Sequence, residues 1–272
     1  MTPVDDSYPS PQPRASVGLH SARAGTGGDE SLTGRLRILS VAANDTNRRW
    51  GMPGWLRKLG AVVLEGAAGS ALAAGATAIA LSLLSVDGGG PLIVAAGGIG
   101  LLNGVIAALL GIYKWSSPVG WLAFLLDHTW GLVGTTIAML LHTVNLFWFG
   151  GRKYNDSLSR GKNRYLYDGG FGFSGYAFTQ GLVTSNFNNS TGNKLVEHET
   201  LHIWQSRAFG PLFQATYGVW FLVGAIVGTF VSLGRKQSWY QTVTDIAYLD
   251  NPWETWAYKI GGTPRKGKYS WV

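Results

Sequence analysis

The chain contains no cysteine. That excludes a disulfide framework, a thiolate nucleophile and any thiolate metal site, so a bound metal must be held by histidine and carboxylate. Charge is scarce: 14% of the 272 residues are charged, against roughly 25% in soluble domains. Histidine is scarcer, with five in all. The chain does not open on an apolar run, so no cleavable signal peptide is expected. The net charge is +7, but there is no concentrated basic stripe or nucleic-acid-binding motif, so nucleic acid is not an expected partner. Lys and Arg fall instead in three segments that flank apolar runs: eight before residue 60, seven in 150–210 and six after 234. That placement suits contact with an anionic lipid surface.

Apolar residues, glycine and tryptophan are abundant: 46% apolar, 39 Gly and 12 Trp. Together they point to a mainly α protein in a lipid bilayer, with glycine-packed helices and interfacial aromatics. Three regions follow. Residues 1–59 read as a disordered N-terminal segment with an interfacial lead-in, where Trp50, Trp55, Leu56 and Leu59 mix with Arg48, Arg49, Arg57 and Lys58. Residues 60–149 read as membrane helices. The runs 60–86 and 91–113 each exceed the ~20 residues that span a bilayer, and a short Asp87-Gly88-Gly89-Gly90 turn joins them. Small residues recur every fourth position, at Gly66, Ser70, Ala74, Ala78 and Ser82 and at Ala96, Gly100, Gly104 and Ala108. That pattern predicts a close helical hairpin whose stripes face each other, and offers a route to homo-oligomers. Glu65 interrupts the first run. Asp127 and His128 interrupt a third stretch, 119–149, leaving 129–149 long enough to cross; His142 and Asn145 inside it suit helix-packing hydrogen bonds. Residues 150–272 form the third region, with strand-like content at 165–167 and 171–185 and an apolar insertion at 211–233. Helices are expected at 239–249 and 252–260.

The chemistry concentrates in residues 194–207, Lys-Leu-Val-Glu-His-Glu-Thr-Leu-His-Ile-Trp-Gln-Ser-Arg. His198 and His202 are four apart, so on a helix they share one face. Two imidazoles so placed can hold one Zn²⁺, with Glu199 beside them as general base. A catalytic zinc shell usually takes a third protein ligand. Glu254 is the leading candidate, because Pro252 can start a helix and places Glu254 in its first turn; Asp245 and Asp250 compete. Arg207, Tyr240 and Tyr248 are candidate electrophilic helpers. Gln205, one turn from His202, is a candidate outer partner of the metal ligands.

This H-E-x-x-H motif, its continuation into Gln205, Ser206-Arg207 and Gly210-Pro211-Leu212, and Thr179-Gln180-Gly181 upstream resemble a bacterial membrane-associated group of zincin metallopeptidases. The later Pro252-Trp253-Glu254 resembles the gluzincin arrangement. The likeness covers residues 165–262. It departs at Thr200-Leu201, where that group carries an aromatic and then glycine. It implies a small zincin-like α+β region around the metal site, an edge strand lining the cleft, a peptide or protein substrate, and a bacterial inner membrane. The positive-inside rule would put the metal site on the cytoplasmic side.

One conflict follows from hydropathy. If 211–233 crosses the bilayer, the two histidines and Glu254 fall on opposite faces and cannot share a metal. The expectation is therefore that this run bends or re-enters, with Gly224 as the bend, and that Arg235 stays on the side of Arg207. Two other functions compete with a membrane-bound zinc metallopeptidase. One is a catalytically silent scaffold of the same fold, and the other is a membrane-inserting effector built on the glycine-striped hairpin.

Overall fold

The computed structural model describes residues 53–148, 153–172, 176–187 and 193–261. Expectations for 1–52, for the last residues of 119–149 and for the chain after 261 lie outside these. The first helix, α1 (Gly54–Leu83), takes in Trp55, Leu56 and Leu59, so the lead-in at 54–59 is the helix's own first turns. After the glycine turn comes α2 (Gly90–Leu110), with Pro91 in its first turn and Gly111 ending it in the left-handed region at φ 65°. Pro fits where the N–H has no helical partner anyway, and Gly fits where a Cβ would clash.

The two helices pack as a hairpin. A Cβ on Gly100 would collide with the Gly69 carbonyl, and one on Gly104 with that of Glu65. Gly66 and Gly97 face the partner helix at 2.9 and 3.3 Å from the same virtual position. The seam differs in detail from the four-residue stripe. It runs through Gly66, Gly69 and Ala73 against Gly97, Gly100, Gly104 and Ala107, and Ser82 is exposed. The reason is helical pitch. Each four-residue step turns the face by about 40° at 3.6 residues per turn, so the stripe that starts at Gly66 has left the interface by Ser82. A seam alternating threes and fours stays on one side. Glu65 is accounted for: its Oε1 accepts from Trp115 Nε1 at 2.9 Å.

The third apolar stretch does not form a straight crossing. It breaks into α3 (Pro118–Asp127) and α4 (Leu132–Phe147), which meet at 86°. With 16 residues, α4 is about 24 Å long, short of the ~30 Å hydrocarbon core. Its polar residues tie it to the segment that follows. His142 Nδ1 meets Tyr167 Oη at 3.0 Å, and Asn145 Oδ1 accepts Phe171 N–H at 2.8 Å. After a short turn of helix, α5 (Asp156–Ser159), come β1 (Tyr165–Leu166), β2 (Phe178–Gln180) and β3 (Val183–Ser185) in the order β1-β3-β2. The β1–β3 pair is parallel and the β2–β3 pair antiparallel, so β2 is an edge strand.

Next are α6 (Asn193–Phe209) and α7 (Pro211–Ser232). Gly210, at φ 53°, separates them, and a Cβ there would lie 2.5 Å from the Trp130 carbonyl. The α3–α4 elbow thus sets the corner between α6 and α7. The chain returns through α8 (Trp239–Val243), a π-helical segment (Thr244–Leu249) and α9 (Pro252–Gly261).

That return overturns the argument from hydropathy. The apolar run 211–233 is one continuous helix of 22 residues over Pro211–Ser232. Trp239 Nε1 donates to Thr229 Oγ1, Trp220 Nε1 to the Ile246 carbonyl, and Trp253 Nε1 to Thr216 Oγ1. Residues 239–253 therefore run antiparallel to α7 and carry Glu254 back to the end where α6 lies. A straight helix and a shared metal site coexist. Gly224 is a packing site and not a bend: a Cβ there would stand 2.6 Å from Ala247 Cα. Helices α1, α2 and α7 are long and apolar enough to cross a membrane, and within their most apolar windows 17%, 33% and 11% of residues are buried. Among the described residues little protein covers those faces.

Candidate metal centre

Three elements converge on the site. The α6 face carries His198 and His202, one turn apart, both buried. The strand β2 lies across that helix. The third element, α9, begins as the sequence leads one to expect. Asn251 Oδ1 accepts Trp253 N–H at 3.1 Å, the Asn251 carbonyl takes the first helical bond from Thr255, and Pro252 follows the cap. Glu254 then sits in the first turn, facing α6.

The three ligand atoms form a nearly equilateral triangle. His198 Nε2 and His202 Nε2 are 3.2 Å apart, and Glu254 Oε2 is 3.4 and 3.3 Å from them. A tetrahedral shell with bonds of ~2.0–2.1 Å has ligand–ligand edges of about 3.3–3.4 Å. Glu254 Oε2 is buried and accepts no well-formed hydrogen bond. A buried carboxylate oxygen without a donor costs free energy unless a cation meets it. The three atoms converge on one another, so the His198/His202/Glu254 group could hold a metal ion. Asp245 and Asp250 do not join it among the described residues.

The surrounding contacts orient the ligands. Gln205 Nε2 donates to the Trp253 carbonyl at 3.1 Å, which turns Gln205 Oε1 toward His202 Nδ1 at 2.8 Å. An amide oxygen only accepts, so Nδ1 carries the proton and Nε2 is left with its lone pair. Tyr217, from α7, donates to Glu254 Oε1 at 2.8 Å, leaving Oε2 as the free oxygen. Thr179 Oγ1, on β2, donates to Glu199 Oε2 at 2.6 Å. A small cavity of about 30 Å³ touches Glu199, His202, Tyr217, Tyr248 and Glu254, room for about two waters.

Electrostatics follow from burial and proximity. Burial pushes Glu199 upward, and the two imidazoles and the Thr179 hydroxyl only partly offset it. Burial depresses His202, but the Glu254 carboxylate outweighs it and holds the imidazole at about 9. Burial would raise Glu254, but the His202 charge outweighs it and holds that carboxyl well below the usual carboxylate range.

Of the candidate helpers, Arg207 is elsewhere. It is buried in a two-pronged ion pair with Asp127, Nε and Nη2 donating at 2.8 and 2.7 Å, and also donates to the Asn163 carbonyl. Tyr240 is exposed. Tyr248 lines the cavity. Sequence reasoning missed Tyr217, because it lies inside the apolar run 211–233 and no motif marks it. A phenol one turn from Phe213 on a helix that must neighbour the motif was the only signal. Comparison with known protein families, with curated proteins and with solved structures gave no match for this chain.

Proposed function

We propose that the protein is a membrane-bound zinc metallopeptidase, with His198, His202 and Glu254 as ligands and Glu199 as general base. The observation that carries this reading is the buried triangle of ligand atoms, 3.2–3.4 Å on each side, with Glu199 on the same turn of α6. Two neutral imidazoles and one carboxylate suit zinc better than magnesium or calcium, which prefer all-oxygen shells. When bound, zinc would supply a Lewis acid for a carbonyl and lower the pKa of a water. The chain's own groups do the rest. Glu199, raised by burial, would take the proton from water and return it to the leaving amine. Thr179 holds the carboxylate in place. Tyr248 is the neutral donor available to a substrate carbonyl.

The edge strand adds a way to hold a peptide. The Thr184 carbonyl accepts from Tyr167 N–H on the β1 side, so Thr184 turns its backbone away from β2. Thr179, its partner across the β2–β3 pair, is then in a non-hydrogen-bonded pair and presents its N–H and carbonyl to the open edge. The 2.7 Å contact of the Thr179 and Thr184 hydroxyls fits the closer approach of such a pair. An extended peptide can add there as a further strand. The seven basic residues of 150–210 support a cytoplasmic site.

Metal analysis of detergent-purified protein tests the reading. About one zinc per chain is expected for wild type and for Glu199→Gln, and loss of it for His202→Ala and Glu254→Ala. Wild type should cleave a peptide library that Glu199→Gln leaves intact. A wild-type protein that takes up no zinc sinks the proposal. Zinc retained with no cleavage by wild type would favour the silent scaffold.

A further inference from the structure

Two apolar grooves flank the metal cavity and open onto it. One, of about 480 Å³, is lined by Phe221, Trp239, Tyr240 and Ala247. The other, of about 440 Å³, is lined by Leu140, Val144, Phe171 and Gln214. Both are within the ~300–1,000 Å³ usual for ligand sites. Phe178 and Tyr217 line both grooves and the cavity between them. Gly218 lines both grooves. The grooves are therefore two arms of one trough, with the metal ligands at its middle and β2 along it.

The trough runs over α7, a helix apolar enough to cross a membrane, and over α4. Several of its lining residues, among them Leu140 and Phe221, are exposed, so it opens on the apolar flank of the molecule. We infer that the substrate is an extended apolar segment of a membrane-anchored polypeptide, which reaches the metal site sideways from the bilayer and fills both arms. This rests on the peptidase reading of the site. A polypeptide fits better than a lipid chain because the edge of β2, at Thr179, lies between the arms. Its N–H and carbonyl can pair with a backbone, and an acyl chain offers nothing to pair with. Apolar arms on both sides select a segment with large apolar side chains on either side of the cleaved bond, and leave no partner for charged ones.

Gly218 gives a clean perturbation. A Cβ there meets no atom within 4 Å, so Gly218→Leu projects a side chain at the trough lining with no clash at its Cβ. The experiment uses the full chain as Glu199→Gln, loaded with zinc, in nanodiscs, with empty nanodiscs subtracted. The probes are a short synthetic peptide of Leu and Phe, its Ser-substituted counterpart, and the apolar peptide N-methylated at alternate amides. The apolar peptide should bind roughly tenfold or more tighter than the other two, and Gly218→Leu should abolish that preference with zinc content and thermal stability unchanged. Equal binding of apolar and Ser peptides, or no effect of Gly218→Leu, overturns the inference. So does an N-methylated peptide that binds as well as its parent and is displaced by a fatty acid, since that marks an acyl-chain site. If the preference holds but zinc-loaded wild type never cleaves the peptide, the trough stands and the peptidase reading falls.

Discussion

The Asp127–Arg207 pair is the most informative place to perturb the fold. Each side chain is 3% exposed. Arg207 donates twice to Asp127 and once to the Asn163 carbonyl; Asp127 also accepts from Tyr113 Oη at 2.9 Å. Removing one partner leaves a buried charge uncompensated, so Asp127→Leu and Arg207→Met should each destabilise by about 3–5 kcal/mol. The double variant removes both charges together. It leaves two weakened neutral groups, the Tyr113 hydroxyl and the Asn163 carbonyl, at about 1–3 kcal/mol each. Tyr113 still accepts from Asn103 Nδ2, so the lower end applies to it, and the double variant should cost about 2–4 kcal/mol. That is below the sum of the singles, about 6–10 kcal/mol, and leaves a coupling of roughly 2–8 kcal/mol. Equilibrium unfolding in mixed micelles, with the four proteins compared at one detergent composition, measures the cycle. Additive losses would refute the claim that the pair acts as one buried unit joining α3 to α6, the helix of His198 and His202. Arg207→Met protein that remains folded should still bind zinc and cleave substrate, because the guanidinium is committed to Asp127 and takes no part at the metal.

Gln205→Ala removes the acceptor that holds His202 Nδ1–H, and zinc affinity should fall about 10–100-fold in a chelator competition, with Glu199→Gln as the unaffected control. Gly100→Leu should unfold the hairpin, since its Cβ would enter the Gly69 backbone, whereas Gly75→Leu, whose Cβ meets nothing within 4 Å, should leave thermal stability in detergent unchanged; equal effects would mean the seam is misplaced. For topology, single cysteines at Ala208, Ser238 and Lys259, all exposed, are to be labelled with a membrane-impermeant reagent in oriented vesicles. Ala208 and Lys259 should react from one side and Ser238 from the other, because α7 leads away from the metal site and residues 239–253 lead back; labelling of all three from one side would show that α7 does not cross.

Much was legible in the sequence, because periodicity and short-range chemistry are local. The i, i+4 histidines, Glu199 between them, Pro252 starting the helix of Glu254 and the glycine-rich hairpin all depend on spacing within one element, and spacing is what a helix converts into a shared face. What spacing could not supply was the path of the chain between elements. Hydropathy alone set a straight 211–232 helix against a shared metal site. Only the return of 239–253 along α7, locked where Gly224 and Gly228 let the backbones close, removes that conflict. Tertiary structure likewise placed Glu254, and not Asp245 or Asp250, beside the two histidines, assigned Arg207 to Asp127 and brought Tyr217 from an apolar run onto Glu254. These are contacts between residues 37 to 80 positions apart. Such pairs leave no periodic trace in the sequence, because their geometry is set by how whole helices pack and not by the turn on which each residue sits.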